Sequence, residues 1–250
     1  IKHFSATTVL AAMGQLFYSM SLAMGIMITY GSYMKKEDDL RDSVRKIEIF
    51  DTVVALLAGL MIVPSVFAFS GGSKEALSKG PSLMFVTMPK VFNSMKIGSL
   101  IGAGFFILVL FAALTSAISL LETNVSIICD KLHWSRKKST VVATLYCLIV
   151  GGLISLGYGP LSFIKIIGMN LLDFFDFISN SVLMPIVAML TCIFIGYIVK
   201  PKTIIDEVEL GGKTFKEKKF YVVMLKYVAP VCLLLILLFA VSEALGLIKV

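Results

Sequence analysis

The sequence predicts an all-α integral membrane protein of six transmembrane helices, the first of them discontinuous. Three observations predict it. Of the 250 residues, 58% are apolar and only 16% charged, where ordinary soluble domains carry about 25% charged residues. Uncharged stretches cover 52–73, 97–121, 139–164 and 177–199, each longer than the roughly 20 residues a helix needs to cross a bilayer. None of these runs alternates in polarity, which excludes a transmembrane β-barrel. The same composition excludes a secreted disulfide scaffold, a disordered tail and a coiled coil.

The spans follow in order as 7–34, 46–70, 97–128, 139–157, 171–199 and 220–246. The first lies in a run without charge from 4 to 34, too long for one straight crossing. Gly14, Gln15, Ser19, Ser21 and Gly25 cluster near its middle. Glycine weakens a helix, and serine hydroxyls compete for its backbone hydrogen bonds. Two half-helices joined by an unwound link fit this pattern. Irregular backbone at that depth survives only against protein or a water-filled cavity, where its free carbonyls and amides can hold a cation and a carboxylate. Close packing between helices is the competing reading of the same small residues.

Asp51, with Thr52 beside it, stands at the start of the second span. An acid inside a bundle marks an ion or substrate path, whereas one at the membrane edge is merely solvated. In the third span Thr115 and Ser116 place adjacent hydroxyls at mid-membrane, with Ala112 one turn before Ser116 on the same face. They suit an oxygen cage for a small hard cation, or simply bonds back to the preceding turn. Asp173 and Asp176 open the fifth span three residues apart, as a mouth carboxylate pair or as acids favoured by the helix N-terminus. The last span is apolar apart from Lys226 and Glu243. The acidic runs at 37–39 and 206–209 read as solvated loop charge.

The net charge of +7 raises a nucleic-acid reading, but no stretch interleaves basic and aromatic residues as such a surface would. The cations instead mark topology. Fifteen of them fall in 35–46, 131–138 and 200–219, and seven in the loops of the opposite side. The positive-inside rule then puts those three segments in the cytoplasm and residue 1 outside. The four cysteines lack metal or redox spacing. No catalytic triad, zinc-protease motif or phosphate loop occurs, so an enzyme is not expected. The chain opens at Ile1 directly before a hydrophobic helix, without initiator Met, leader or signal peptide, which reads as the continuation of a longer protein.

At this point the constellation resembles a known family. The sequence from Gly14 through Tyr18-Ser19-Met20-Ser21 to Gly25, followed by Ile28-Thr29-Tyr30-Gly31-Ser32-Tyr33, is similar to the discontinuous sixth helix of neurotransmitter:sodium symporters. Leu114-Thr115-Ser116 resembles their eighth helix, and Asp173 to Asp176 the start of their tenth. Gly80-Pro81 with Thr87-Met88-Pro89 resembles the external loop between helices seven and eight. The likeness implies a single membrane domain over 1–250, made of the second inverted five-helix repeat (about 5–199) plus a further helix (about 220–246).

What the resemblance implies can be carried over residue by residue. Tyr18, Ser19, Ser21, Met24, Ser116 and Leu120 match the substrate pocket. Ser19, the carbonyl of Ala112, and the hydroxyls of Thr115 and Ser116 match sodium ligands, and Asp51 falls within one position of a further one, the preceding loop differing in length. Asp176, with Gln15 close to it, matches the acidic half of the extracellular gate. Chloride-dependent members carry a Ser one turn after the Asp51 position, where this chain has Val54 and Ala55. Chloride independence is therefore expected, with the Asp51 carboxylate supplying the negative charge. Ala23 departs from the family's usual first Gly of a Gly-x-Gly pair.

The activity implied is sodium-coupled symport of a neutral, apolar amino acid across the plasma membrane, the bacterial inner membrane, as a multi-pass protein. Its partners would be the amino acid, sodium, the lipid bilayer and a missing amino-terminal half, with no organic cofactor and no nucleic acid. A non-transporting membrane subunit or an ion channel is the alternative, although no selectivity filter or charged ring is visible.

Overall fold

The computed structural model describes residues 6–69, 83–210 and 214–244. Gly80 and Pro81 of the external-loop motif lie outside them, as do the loop cations Lys2, Lys74, Lys79, Lys213 and Lys249. The described chain is helical, without named strands; its single isolated bridge joins Ile166 and Met169. Among the described residues, five helical rods are long and apolar enough to cross a membrane, namely Leu40–Ala68, Gly98–Leu132, Arg136–Leu156, Leu171–Val199 and Lys218–Ala244. The sixth predicted span is the broken one. It consists of α1 (Ala6–Ser19) and α2 (Ile26–Ser32), as its central small and polar residues predicted.

Several boundaries depart from the sequence reading. The second span is α3 (Leu40–Phe69), and it begins within the segment read as loop. The reason is a cap: Asp39 Oδ1 accepts from the Asp42 amide at 3.0 Å, and Asp42 adds negative charge to the first turn. Asp39 is therefore a capping residue rather than free loop charge. Two short helices follow the undescribed stretch: a π-helical turn Leu83–Thr87 and α4 (Met88–Asn93).

The third span, α5 (Gly98–Leu132), is about 52 Å long at 1.5 Å per residue, longer than a hydrocarbon core. The loop predicted at 131–138 shrinks to a turn at 133–135, because α6 starts at Arg136. The fifth span comprises α7 (Leu171–Asp176), a π-helical stretch Phe177–Leu183, α8 (Met184–Ile193) and a second π-helical stretch Phe194–Val199. Segment 200–219 carries α9 (Pro201–Val208). The last rod consists of α10 (Lys218–Val223), a π-helical turn Met224–Val228 and α11 (Ala229–Ala244).

The chain divides into two compact units. The first takes in 1–44 and 120–250 and packs α11 against α8 and α1. Leu233 and Ile236 of α11 and Met184, Pro185 and Ala188 of α8 are buried there. At Gly14, α1 faces Ile236 of α11, where a Cβ would stand in ordinary contact at 3.7 Å. The second unit, 45–119, has its own core of Val66, Met88, Val91 and Phe92, with Phe105 and Phe106 against it. A Cβ on Gly98 would fall 1.6 Å from the Phe92 carbonyl oxygen. Only glycine can hold that turn. Large apolar side chains cover the outside of both units, for instance Leu100 and Leu108 on α5 and Leu148 on α6, as lipid-facing helices require.

Cross-links in the first unit sit near helix ends. Arg41 pairs with Glu217. Glu209 accepts from Lys218 at 2.6 Å and from the Phe215 amide at 2.9 Å. The Lys218 ammonium, helped by that amide, holds the Glu209 carboxyl below the usual carboxylate range. This part of the 206–209 run is thus structural. Lys138 lies over the Trp134 ring at 3.8 Å, at the turn between α5 and α6.

Candidate functional site

The break in the first span is built from three residues in left-handed conformation within five positions. Ser21 has φ 54°, Ala23 φ 59° and Gly25 φ 79°. For a residue bearing a Cβ this region costs about 1–2 kcal/mol, so Ser21 and Ala23 are strained and Gly25 is not. Gly25 is also sterically required, because a Cβ there would meet Thr123 Cγ2 of α5 at 2.9 Å. The amides of Met20, Ser21 and Leu22 still reach back to α1, at 3.0–3.1 Å, through the carbonyls of Leu16, Tyr18 and Phe17. The helical ladder resumes when the Thr29 amide reaches the Gly25 carbonyl at 3.0 Å. Between them the chain has left the helix, which frees backbone polar groups at mid-span.

A cleft of about 430 Å³ opens beside this break. Tyr18, Ala23 and Met24 line it from the broken span and Leu120 from α5. Ser179, Asn180 and Leu183 face them from the π-helical stretch, and Met184 and Val187 from α8. The structure thus brings together Tyr18, Met24 and Leu120 among the residues matched to a substrate pocket. Ser19, Ser21 and Ser116 do not line the cleft. No lining side chain carries a charge.

Ser179 and Asn180 were missed by sequence reasoning. The signal was present in Ser179-Asn180-Ser181, a polar triplet in an otherwise apolar run. The wider π turn places it, with Ser179 Oγ donating to the Phe175 carbonyl at 2.7 Å.

Ala112, Thr115 and Ser116 stand in an unbroken helix. The Thr115 hydroxyl donates to the carbonyls of Ala112 at 3.0 Å and Phe111 at 3.1 Å. Ser119 donates in turn to the Thr115 carbonyl at 3.0 Å. These are the back-bonds of the simpler reading, and they keep α5 regular. Turning the Thr115 hydroxyl away from Ala112 would leave its oxygen and that carbonyl able to accept or to hold a cation. Ser116 is exposed beside them.

Asp51 lies half-buried on α3, three turns inside the helix rather than at its start. The gate pair is not joined. Asp176 Oδ1 accepts from Asn180 Nδ2 at 2.6 Å, while Gln15 is exposed on α1. Asn170 caps α7 through the Asp173 amide at 2.9 Å and donates to the Asp173 carboxylate at 2.7 Å. Elsewhere Glu122 of α5 ties two elements together, accepting from the Tyr33 hydroxyl and the Arg136 guanidinium.

A broken span bordering an uncharged cleft is a transporter-like arrangement, and comparison with known proteins decides the family. The profile of the sodium:neurotransmitter symporter family matches residues 1–247. The chain belongs to that family. It is 35% identical over 244 residues to a sodium-dependent transporter of Bacillus subtilis, covering 95% of this chain and 53% of that protein. To the sodium- and chloride-dependent glycine transporter 1 of Xenopus laevis it is 29% identical over 242 residues, 93% of this chain and 36% of that one. The crystal structure of MhsT in complex with L-phenylalanine superposes with a TM-score of 0.82 at 38% identity, covering 92% of this chain and 51% of MhsT.

The chain spans about half the length of the bacterial relatives it matches. Those relatives are sodium-dependent transporters, not enzymes. With five candidate spans among its described residues, it is a multi-pass membrane protein.

The family implies sodium, and the residues fit it. Among the described residues no three His, Cys, Asp or Glu side chains converge as a metal cluster. Ala112, Thr115 and Ser116 instead offer neutral carbonyl and hydroxyl oxygens, the donors a hard cation of low charge requires.

Proposed function

We propose that this chain forms the second inverted repeat, about 5–199, and one further helix, about 220–246, of a single membrane domain. The whole protein, completed by an amino-terminal half, is a sodium-coupled symporter of a neutral apolar amino acid at the bacterial plasma membrane. The observation that carries this reading is the break at 20–25 beside a cleft whose lining holds no charge. An amino acid's own amine and carboxylate need polar partners, and unwound backbone supplies them. Its side chain meets Tyr18, Met24, Leu120 and Leu183, which favour apolar groups. The neighbour that binds L-phenylalanine supports the same substrate class.

In this reading Tyr18 covers the substrate, Met24 and Leu120 select its side chain, and Ser19, Ser21 and Ser116 contribute polar contacts. Ser19 and Asp51 are each sodium ligands in this reading, and the Ala112 carbonyl holds sodium with the Thr115 and Ser116 hydroxyls. When bound, it supplies positive charge that couples substrate affinity to the ion gradient. Asp176 and Gln15 act at the outer gate. Asn180 holds Asp176 in place until a cation from the rest of the protein replaces that bond. The bundle then rocks about the midplane site.

The test is uptake of labelled phenylalanine and leucine into proteoliposomes of the full-length protein, with and without an inward sodium gradient. Uptake should rise with the gradient; equal uptake in both would sink the proposal. Asp51 also carries a sharper expectation. Transport should be chloride-independent, and Asp51→Ser should create chloride stimulation; a variant indifferent to chloride counts against the charge-substitution role.

A further inference from the structure

Lys226 is the single cation within the apolar run of the last span, and its surroundings are specific. Its stem crosses Gly196 of the fifth rod, where a Cβ would stand 3.3 Å from Lys226 Cγ. Its ammonium lies 5.2 Å from the centre of the Tyr197 ring. The Tyr197 hydroxyl donates to the Lys226 carbonyl at 3.3 Å, in the π-helical turn of the last rod. Lys226 is thus drawn across to the fifth rod rather than reaching along its own helix to water.

The two rods flank a recess of about 400 Å³. Lys200 and Lys202 line it together with Lys226, and Ile205 and Val222 make its apolar walls. None of the three lysines pairs with an acid among the described residues. Glu209 is taken by Lys218, and Asp206 and Glu207 of α9 do not line the recess. Three like charges around one cavity repel each other and raise the local potential, which an anion relieves. An intramembrane cation without an acidic partner marks a ligand path by default. The loop charges place this end of both rods at the cytoplasmic surface. A ligand here must therefore join a negative head to an apolar body.

We propose that this recess binds the phosphate of an anionic phospholipid from the cytoplasmic leaflet. Lys200, Lys202 and Lys226 hold the headgroup, and the acyl chains run between the two rods past Val222. Basic pockets between spanning helices on that side recognise such headgroups in general. Each lysine contributes about five-fold in affinity. Lys226 contributes through position as well, because the Tyr197 ring and the Gly196 groove fix its stem. The site stands apart from the transport reading, since lipid retention is measured without sodium or substrate.

The experiment is native mass spectrometry of the full-length protein released from nanodiscs of phosphatidylcholine carrying a minority of phosphatidylglycerol. The wild type should retain one phosphatidylglycerol in preference to phosphatidylcholine. Combined Lys200→Gln, Lys202→Gln and Lys226→Met should abolish that preference, while Lys226→Arg keeps it. The exposed Lys202→Gln change alone gives a fold-neutral reading and should weaken retention about five-fold. Equal retention by wild type and the triple variant, or an unselective wild type, overturns the proposal. So does displacement of the lipid by added inorganic phosphate, which would make the ligand a soluble anion.

Discussion

Two stretches of the molecule carry similar small and hydroxyl residues at mid-span and behave in opposite ways. Met20 to Gly25 leaves the helix, whereas Ala112 to Ser116 stays within α5. The difference is where the polar groups find partners. Thr115 and Ser119 return their protons to carbonyls of the preceding turn, so the ladder continues and the hydroxyl oxygens remain available to accept. In the broken span the chain turns left-handed at Ser21, Ala23 and Gly25, and Gly25 lies where a side chain would strike Thr123. A polar residue in a membrane helix therefore does not itself predict a break. A position that only glycine can occupy does.

The comparison is broken most severely at Gly25. Gly25→Leu forces a Cβ into Thr123 Cγ2 and a branched side chain into φ 79°, with strain of about 1–2 kcal/mol from the backbone alone and the clash in addition. Transport should fall to background, and the Tm of the purified full-length protein should drop by several degrees. A variant with wild-type Tm and uptake would show that the close approach is absent.

Thr115→Val asks the reverse question. It keeps the shape and removes the hydroxyl, so α5 should stay folded with Tm unchanged. Sodium should then support substrate binding only at concentrations roughly ten-fold or more higher, for loss of one hydrogen-bond-strength contact to a charged group. An unchanged sodium dependence in a binding assay would remove Thr115 from the ion site.

Ala23→Gly is milder. It relieves a left-handed alanine and should raise stability by about 1 kcal/mol, while enlarging the cleft that Ala23 lines. Competition with bulkier apolar amino acids should improve relative to smaller ones. A fall in Tm would mean that the strain at Ala23 is not relieved by glycine.

The smallest effect lies outside both stretches and serves as their control. Glu209 titrates below its usual 4.5 because of Lys218. Its tie is present above that value and is lost as the pH falls through the depressed one. The Tm difference between wild type and Glu209→Gln should persist at neutral pH and close below pH 4.5. Uptake should be indifferent to the substitution.

The fold was legible because bilayer-length apolar runs admit few other solutions, and the break was legible because Gly and Ser cluster in one of those runs. The left-handed requirement at Ala23 was not, since alanine gives no local sign of it. Helix starts were misplaced where capping decided them, as at Asp39, which lies outside the hydrophobic pattern. In the cleft, Tyr18, Met24 and Leu120 were read by likeness to relatives. Ser179 and Asn180 were not, because only the π turn brings them to the same wall. The separation of Asp176 from Gln15 was equally invisible, for it depends on which amide the carboxylate accepts.

Hydrogen–deuterium exchange on the full-length protein, with and without sodium plus phenylalanine, tests the contrast between the two stretches most directly. The amides of 20–25 should exchange fast in the bare protein and gain protection when both ligands are present, while those of 112–116 stay protected throughout. Slow exchange at 20–25 in the bare protein, or protection there that is indifferent to sodium, would contradict the account.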